Sequence, residues 1–227
     1  MYRLIAKKKM KRVVLMIIPA LICGVMFTNC DADKQEIEQE FDDDGLVLLS
    51  DKKLVIRATR VENSSKDIVT VKAIFSPYNE DYEVASANYK NGGFELTLPA
   101  TVPDEYLGPH YRGGGTTVSD EQARTGAILQ IFALDKARAV IGDFRLQSDG
   151  GGIILIYADR SYTMKGGYSS ALVDFEFDCS FNKGWNILYS YWPNQRNLKQ
   201  TTQRPIAEKY HWNYGKYEMP YPPRSQE

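Results

Sequence analysis

The stretch VDFEFDCSF, residues 173–181, decides the fold class of this chain. Apolar and polar side chains alternate strictly over nine residues, which is the period of a β-strand with one face in a core and one face in water. This pattern places Cys179 on the inward face. An unpaired cysteine there is usually a small core residue, so we expect Cys179 to be buried and unreactive.

Further strands flank this stretch on both sides. Asn182-Lys183-Gly184 is typical of a turn, and it leads into Trp185–Trp192, which is apolar on both faces as in a central strand. Gly and Asn tolerate the positive φ of tight turns, and they punctuate the chain at 91–93 and 149–152, while Asp135-Lys136 marks another turn. A short helical turn is predicted within 102–107. The remaining predicted strands are Leu54–Ala58, Ile68–Phe75, Tyr82–Ala87, Phe94–Leu98, Ala127–Leu134, Ala139–Leu146, Ile153–Tyr157 and Tyr162–Lys165.

The strand pattern predicts an all-β protein of about ten strands. Strands that recur every 8 to 12 residues are typical of a sandwich or a barrel, and periodicity does not separate the two. An antiparallel β-sandwich and a calycin-like barrel are therefore both open at this point, and the preference for the sandwich comes from the resemblance given below.

The first thirty residues have the order of an export signal. Five basic residues lie within 7–12, an apolar run extends over 13–27, and Thr28-Asn29-Cys30 follows. The apolar run is too short for a confident membrane span and suits a signal peptide over 1–29. Its end resembles the lipobox of bacterial lipoproteins, which implies diacylation of Cys30. Met10 offers a second plausible start.

Charge and composition then divide the rest of the chain. Residues 30–45 are dense in acidic side chains, which repel one another and predict a flexible tether. Acidic residues directly after a lipidated cysteine also resemble the surface-export signal of Bacteroidetes lipoproteins. Residues 46–218 are predicted to form one globular β-rich domain, although two small domains remain an alternative. The segment 219–227 is a Pro-rich tail.

Charge also argues against some function classes. The whole chain carries −1, but residues 1–29 hold six basic and no acidic side chains, so the remainder carries −7. An acidic exported domain is a poor partner for phosphate backbones, so we expect no nucleic-acid binding. Cys179 is the one cysteine left in the body, so we expect no internal disulfide and no cysteine-based metal cluster.

Three segments resemble small exported lipoproteins of gut Bacteroidales. They are YKNGGFELTLP at 89–99, IYADR at 156–160, and KGWN at 183–186 followed by an aromatic strand. The GFELTLP run is also similar to transthyretin-like and other immunoglobulin-like sandwiches. The resemblance implies a sandwich body and an outer-membrane location, anchored by lipid and facing the periplasm or the cell surface. It brings no catalytic residues with it.

No catalytic constellation is evident in the sequence. His110 and His211 lie a hundred residues apart, which is no local metal spacing. The Gly-rich loop 108–115 lacks a Walker lysine and a following helix, so we expect a mobile linker. No Gly-x-Ser-x-Gly elbow occurs, and the carboxylates of 174–178 share an outward strand face. We therefore predict a non-enzymatic protein with no cofactor and no metal.

Aromatic side chains are the one suggestive feature. Tyr, Phe and Trp make up 12% of the chain and crowd its C-terminal third. Exposed Trp and Tyr suit sugar rings and protein partners, so we predict an aromatic binding face for a glycan or a protein, although core packing is the ordinary alternative. The candidate residues are Trp185, Trp192, Tyr210 and Trp212.

A second function class is a carrier of a small apolar ligand inside a barrel. Such a carrier needs an internal cavity, which we expect to be lined by residues such as Phe132, Phe175 and Phe177.

Overall fold

The computed structural model describes residues 45–75, 82–110, 114–128, 130–206 and 208–216. The signal peptide, Cys30, most of the predicted tether and the Pro-rich tail lie outside the described residues. Within the described ranges no helix is long and apolar enough to cross a membrane. Seventeen strands are described: β1 Leu46–Leu48, β2 Leu54–Ala58, β3 Val61–Glu62, β4 Thr70–Phe75, β5 Tyr82–Asn88, β6 Phe94–Leu98, β7 Gly108–Pro109, β8 Thr116–Val118, β9 Arg124–Ile128, β10 Gln130–Leu134, β11 Val140–Ser148, β12 Gly151–Ala158, β13 Tyr162–Ser169, β14 Asp174–Phe181, β15 Gly184–Tyr191, β16 Asn197–Thr201 and β17 His211–Lys216.

The strand with the clearest alternation is confirmed as β14. Phe177, Cys179 and Phe181 are buried, whereas Glu176 and Ser180 are exposed. The short helical turn is also confirmed, as a 3-10 turn at Asp104–Tyr106.

The predicted all-β sandwich is confirmed, and its sheets are open. A small sheet has the order β1-β2-β6. The large sheet has the order β5-β4-β10-β11-β12-β15-β16-β14-β13-β8, and the strands β3, β7, β9 and β17 branch from it. Every described pairing is antiparallel except β14 with β16 and β3 with β17. The calycin-like barrel is therefore wrong, because the described strands do not close on themselves.

The large sheet splits where β11 and β12 part. These two strands pair at only two positions, Gln147↔Gly152 and Ser148↔Gly151, next to the hairpin turn. Farther from the turn, β11 and β12 no longer pair with each other. There β11 pairs with β10, and β12 pairs with β9. The sequence pattern predicted one strand over Ala127–Leu134. That prediction is wrong, because the chain forms two strands there that belong to different branches of the sheet.

Two apolar cores lie on opposite faces of β12. Leu155 and Tyr157 pack in the larger core, with β2, β4, β6, β11 and β17. Ile154, Ile156 and Ala158 pack in the smaller core, with β13 and β14. Neighbouring β15 also contributes to both cores, which confirms the prediction of a central strand from its two apolar faces.

Close packing of β9 on β4 requires a glycine. Phe75 is fully buried, and a Cβ added at Gly126 would lie 2.0 Å from two of its ring atoms. The larger core therefore accepts the Phe75 ring only because residue 126 has no side chain.

The first part of the Gly-rich loop belongs to the sheet. Gly108–Pro109 pairs with β9, and His110 is 5% exposed with its ring 5.4 Å from that of Tyr162. Its Nδ1 lies 3.0 Å from the carbonyl oxygen of Ala123 and donates to it. The expectation of a mobile linker is wrong for 108–110, while 111–113 lie outside the described residues.

Candidate functional site

Three of the four predicted binding aromatics lie in the larger core. Trp185, Tyr210 and Trp212 are 3%, 6% and 7% exposed, whereas Trp192 is 42% exposed. A binding face requires contiguous exposed rings, so the predicted four-residue face is wrong, and of the four only Trp192 is substantially exposed.

The three buried aromatic residues make contacts in the larger core that explain their burial. Trp185 meets Phe75 and Tyr157 edge-on and donates its Nε1–H to the carbonyl oxygen of Pro99 at 2.7 Å. Trp212 meets the ring of Phe94 edge-on, at 5.2 Å between centroids. Such edge-to-face geometry is favourable for aromatic quadrupoles and is common in cores.

Tyr210 occupies the same core from the segment before β17. Its ring lies 5.5 Å from that of Tyr189, and burial raises the pKa of its hydroxyl to about 12. The alternation of Tyr210, Trp212 and Tyr214 with polar residues indicated correctly that one set faces inward. The aromatic set is the inward one, which leaves His211 and Asn213 partly exposed.

Trp192 follows the end of β15 and borders a large cleft. Its backbone N–H donates to the Gly150 carbonyl oxygen at 2.8 Å, which ties the residue to the β11–β12 turn. The cleft has a volume of about 960 Å³ and opens at the split in the large sheet. We call it the split cleft.

The position of the split cleft follows from strand pairing. On β11, the ladder to β10 ends at Phe144 and the ladder to β12 begins at Gln147, so Arg145 and Leu146 face a gap. On β12, Ile153 and Ile154 lie between the ladders to β11 and β9 in the same way. No described strand fills this gap, and side chains of the larger core line the cleft there.

The split cleft has an apolar floor and a polar rim. The floor is made mainly of branched aliphatic side chains from β9, β10, β11 and β12, with Phe144, and Trp192 stands at the edge. The apolar floor consists of Leu46, Ile128, Ile131, Phe144, Leu146, Ile153, Ile154, Leu155, Leu198 and Trp212, the last of which is one of the predicted binding residues. The polar rim consists of Gln130, Arg145, Gln147, Asp149, Ser190, Asn194 and Gln195. This division suits a ligand with an apolar body and a few polar atoms.

A buried carboxylate lies directly behind this rim. Asp143 is 1% exposed, and its Oδ2 accepts from the Nε of Arg145 at 2.9 Å and from the Nε2 of Gln130 at 3.5 Å. The side chain of Arg145 is itself 58% exposed. Both donors line the split cleft, so this buried acid fixes two polar groups of its rim.

The cavity predicted for a barrel carrier is not where the sequence placed it. Phe177 is buried in the smaller core, and Phe175 stacks on Tyr168 at 4.6 Å. Neither these residues nor Phe132 are among the described residues that line the split cleft. The split cleft arises at the sheet split and not inside a closed barrel, so it gives no support to a role for these three residues.

Cys179 lies in the smaller core, as predicted. It is fully buried, its Sγ lies 3.3 Å from the carbonyl oxygen of Gln200, and burial raises the pKa of the thiol to about 12. A thiol with so high a pKa is a poor nucleophile at neutral pH. Across the described ranges, no three His, Cys, Asp or Glu side chains are grouped so that they could hold a metal ion.

The sequence carried one unused signal for the split cleft. Gly150-Gly151-Gly152 is followed by the run Ile153–Tyr157, which is apolar on both faces. That run indicated contact with two apolar environments, but only the strand pairing shows that part of the run lies beside the split cleft.

Compared with known proteins, the chain matches no family model, no curated protein and no solved structure.

Proposed function

We propose that this chain is a non-catalytic binding protein that holds a small, largely apolar ligand in the split cleft. The observation that carries the proposal is an opening of about 960 Å³ with an aliphatic floor. Ligand sites in proteins are commonly clefts of about 300–1,000 Å³ with mostly apolar linings and a few placed polar groups. The carrier function inferred from the sequence thus finds support in a sandwich and not in a barrel.

A second candidate is recognition of a glycan or a protein partner at the rim. Trp192 is exposed there, and Asp149, Asn194 and Gln195 supply hydrogen-bonding groups near it. One of these groups is already engaged, because Asn194 Oδ1 accepts from the backbone N–H groups of Arg196 and Asn197. Loss of glycan-array capture in Trp192→Ala, with unchanged binding of an apolar probe, would favour this candidate.

Export and lipid anchoring complete the proposal. The basic run, the apolar run and Cys30 support an outer-membrane lipoprotein whose domain lies beyond the membrane surface. A binding protein fixed to a membrane could capture an apolar ligand close to its source.

The decisive experiment blocks the split cleft from within. Gly152 lines it, and a Cβ added there would meet only the Leu146 carbonyl oxygen, at an ordinary 3.6 Å. Gly152→Trp should therefore fill part of the opening without a backbone clash. Gly114→Trp is the matched control, because a Cβ at Gly114 meets nothing within 4 Å and the residue does not line the cleft.

The measurement is saturable binding of N-phenyl-1-naphthylamine, a neutral apolar fluorophore, to the full chain. We expect binding to the parent and to Gly114→Trp, and a loss of about tenfold or more in Gly152→Trp at an unchanged melting temperature, since the displaced apolar contact is worth at least about 1.4 kcal/mol. Equal binding by both variants, or no saturable binding by the parent, would overturn the proposal.

A further inference from the structure

The polar rim of the split cleft contains a guanidinium held in place by a buried acid. Arg145 and Asp143 share one face of β11, two residues apart, and the Nε of Arg145 donates to Oδ2 of Asp143 at 2.9 Å. Asp143 is almost fully buried, whereas Arg145 reaches the cleft. A buried carboxylate is costly unless it is paired and hydrogen-bonded, so this contact is strongly constrained.

The surroundings of Asp143 are shaped to hold a carboxylate. On β17 its register partner is Gly215, where an added Cβ would lie 3.0 Å from Oδ1. On the other side, Gln130 directs its amide toward Oδ2. The missing side chain of Gly215 leaves space for the carboxylate of Asp143, and Gln130 and Arg145 donate hydrogen bonds to it. The hydrogen bond to Asp143 sets the orientation of Arg145.

The remaining donors of Arg145 are free to act on a ligand. A guanidinium has five N–H groups in a planar fork, and the contact with Asp143 uses only Nε. Among the described residues no carboxylate or carbonyl group accepts from its two Nη atoms. Gln130 and Gln147 add amide donors to the same rim. A charged fork fixed beside an aliphatic floor loses little freedom when an anion binds.

We propose that the split cleft takes a single-chain amphiphile with a carboxylate head, that is, a fatty-acid-like ligand. The alkyl chain lies on the aliphatic floor, and the carboxylate accepts from the Nη groups of Arg145. This inference rests on the proposed function of the split cleft. Among the described residues that line the cleft, Asp149 is the one acid, and it disfavours an anion beside the β11–β12 turn. The head therefore lies toward Arg145 and away from that turn.

The test compares three dodecyl amphiphiles that differ only in their heads. Sodium dodecanoate, dodecyl maltoside and dodecyltrimethylammonium, each below its micellar concentration, compete with N-phenyl-1-naphthylamine on the full chain. We expect dodecanoate to bind about tenfold more tightly than the neutral maltoside, since a charge-assisted hydrogen bond contributes a factor of that order. The cationic amphiphile should bind most weakly.

Arg145→Gln should abolish this preference without preventing chain binding. The matched control is Arg196→Gln, because Arg196 also donates its Nε to an acid, at 2.8 Å from Asp174, is 64% exposed, and lies outside the split cleft. The control should keep the full preference for dodecanoate. If Arg145→Gln alone lowers the melting temperature by exposing an unpaired Asp143, Arg145→Gln combined with Asp143→Asn removes both charges and should show the same loss.

The outcomes separate this inference from the proposed function. If all three heads bind equally, or if the Arg145 variants keep the preference for dodecanoate, the carboxylate assignment is refuted while chain binding in the cleft stands. Tighter binding of the cationic amphiphile also refutes it and points to Asp149. If no dodecyl amphiphile displaces the probe, or if displacement is unaffected by Gly152→Trp, the proposed function itself fails.

Discussion

Truncation of Trp185 should cost far more stability than truncation of Trp192, although the sequence presents both as candidates for one binding face. Trp185 is 3% exposed, so nearly its whole side chain is removed from water. A buried indole contributes roughly 4–6 kcal/mol from about 150–250 Å² of area at about 25 cal/mol per Å². Its hydrogen bond to Pro99 adds about 1 kcal/mol. Measured losses for buried Trp→Ala are about 3–5 kcal/mol, so we expect Trp185→Ala to lose about 4 kcal/mol.

Trp192→Ala is the matched control, since it removes the same side chain from a 42% exposed position. We expect it to lose no more than about 1 kcal/mol. For a domain of this size, the Trp185 variant should melt roughly 8–16 °C below the parent. Urea unfolding followed by far-UV circular dichroism measures both differences without relying on tryptophan emission. A Trp185→Ala loss below about 1 kcal/mol, or equal losses in the two variants, would refute the argument that burial separates these residues.

Four further predictions concern the smaller core, the larger core and the anchor. Cys179 should resist thiol reagents in the native protein and react on unfolding, and rapid native labelling would contradict its burial. Since burial raises its pKa from 9.0 to about 12, the neutral thiol stabilises the fold fully below pH 9 and this contribution is lost as pH rises toward 12. The free energy of unfolding should therefore fall less steeply over that range in Cys179→Ala than in the parent. Gly126→Ala should destabilise the protein by about 1–3 kcal/mol through its clash with Phe75, whereas Gly114→Ala should be nearly neutral. If Cys30 is acylated, Cys30→Ser should move the protein from the membrane fraction to the soluble fraction, because two acyl chains provide the anchor; retention of the variant in membranes would reject a lipid anchor.

Local periodicity determined the fold class and the positions of the main strands. The alternation in 173–181 reflects backbone geometry that repeats every two residues, so it indicates a strand and its inward face without knowledge of any partner. The same reasoning placed Cys179 in a core and set the ends of β2 and β6. Asn91 and Gly92 both have positive φ, as their turn chemistry predicted.

The shortest strands were not predicted from the sequence, because two or three residues are too few to show an alternation of apolar and polar side chains. The strands β3 and β7 have two residues each, and β1 and β8 have three. They form because neighbouring strands offer unpaired backbone groups, which is a property of the assembled sheet.

The burial of the aromatic residues and the position of the split cleft were decided by the tertiary structure. Trp185 and Trp192 lie in the same apolar run, and only the pairing of β15 with β12 and β16 puts one in the core and the other at a rim. The split cleft exists because β9 and β10 insert between β11 and β12, a long-range pairing that no local pattern encodes. Asp143 and Arg145 share a face by strand period alone, but the burial of that acid depends on β10 and β17 on either side of it. The sequence by itself therefore determined which segments are strands and which faces are apolar, and only the packing of distant strands determined which apolar surface remains open to a ligand.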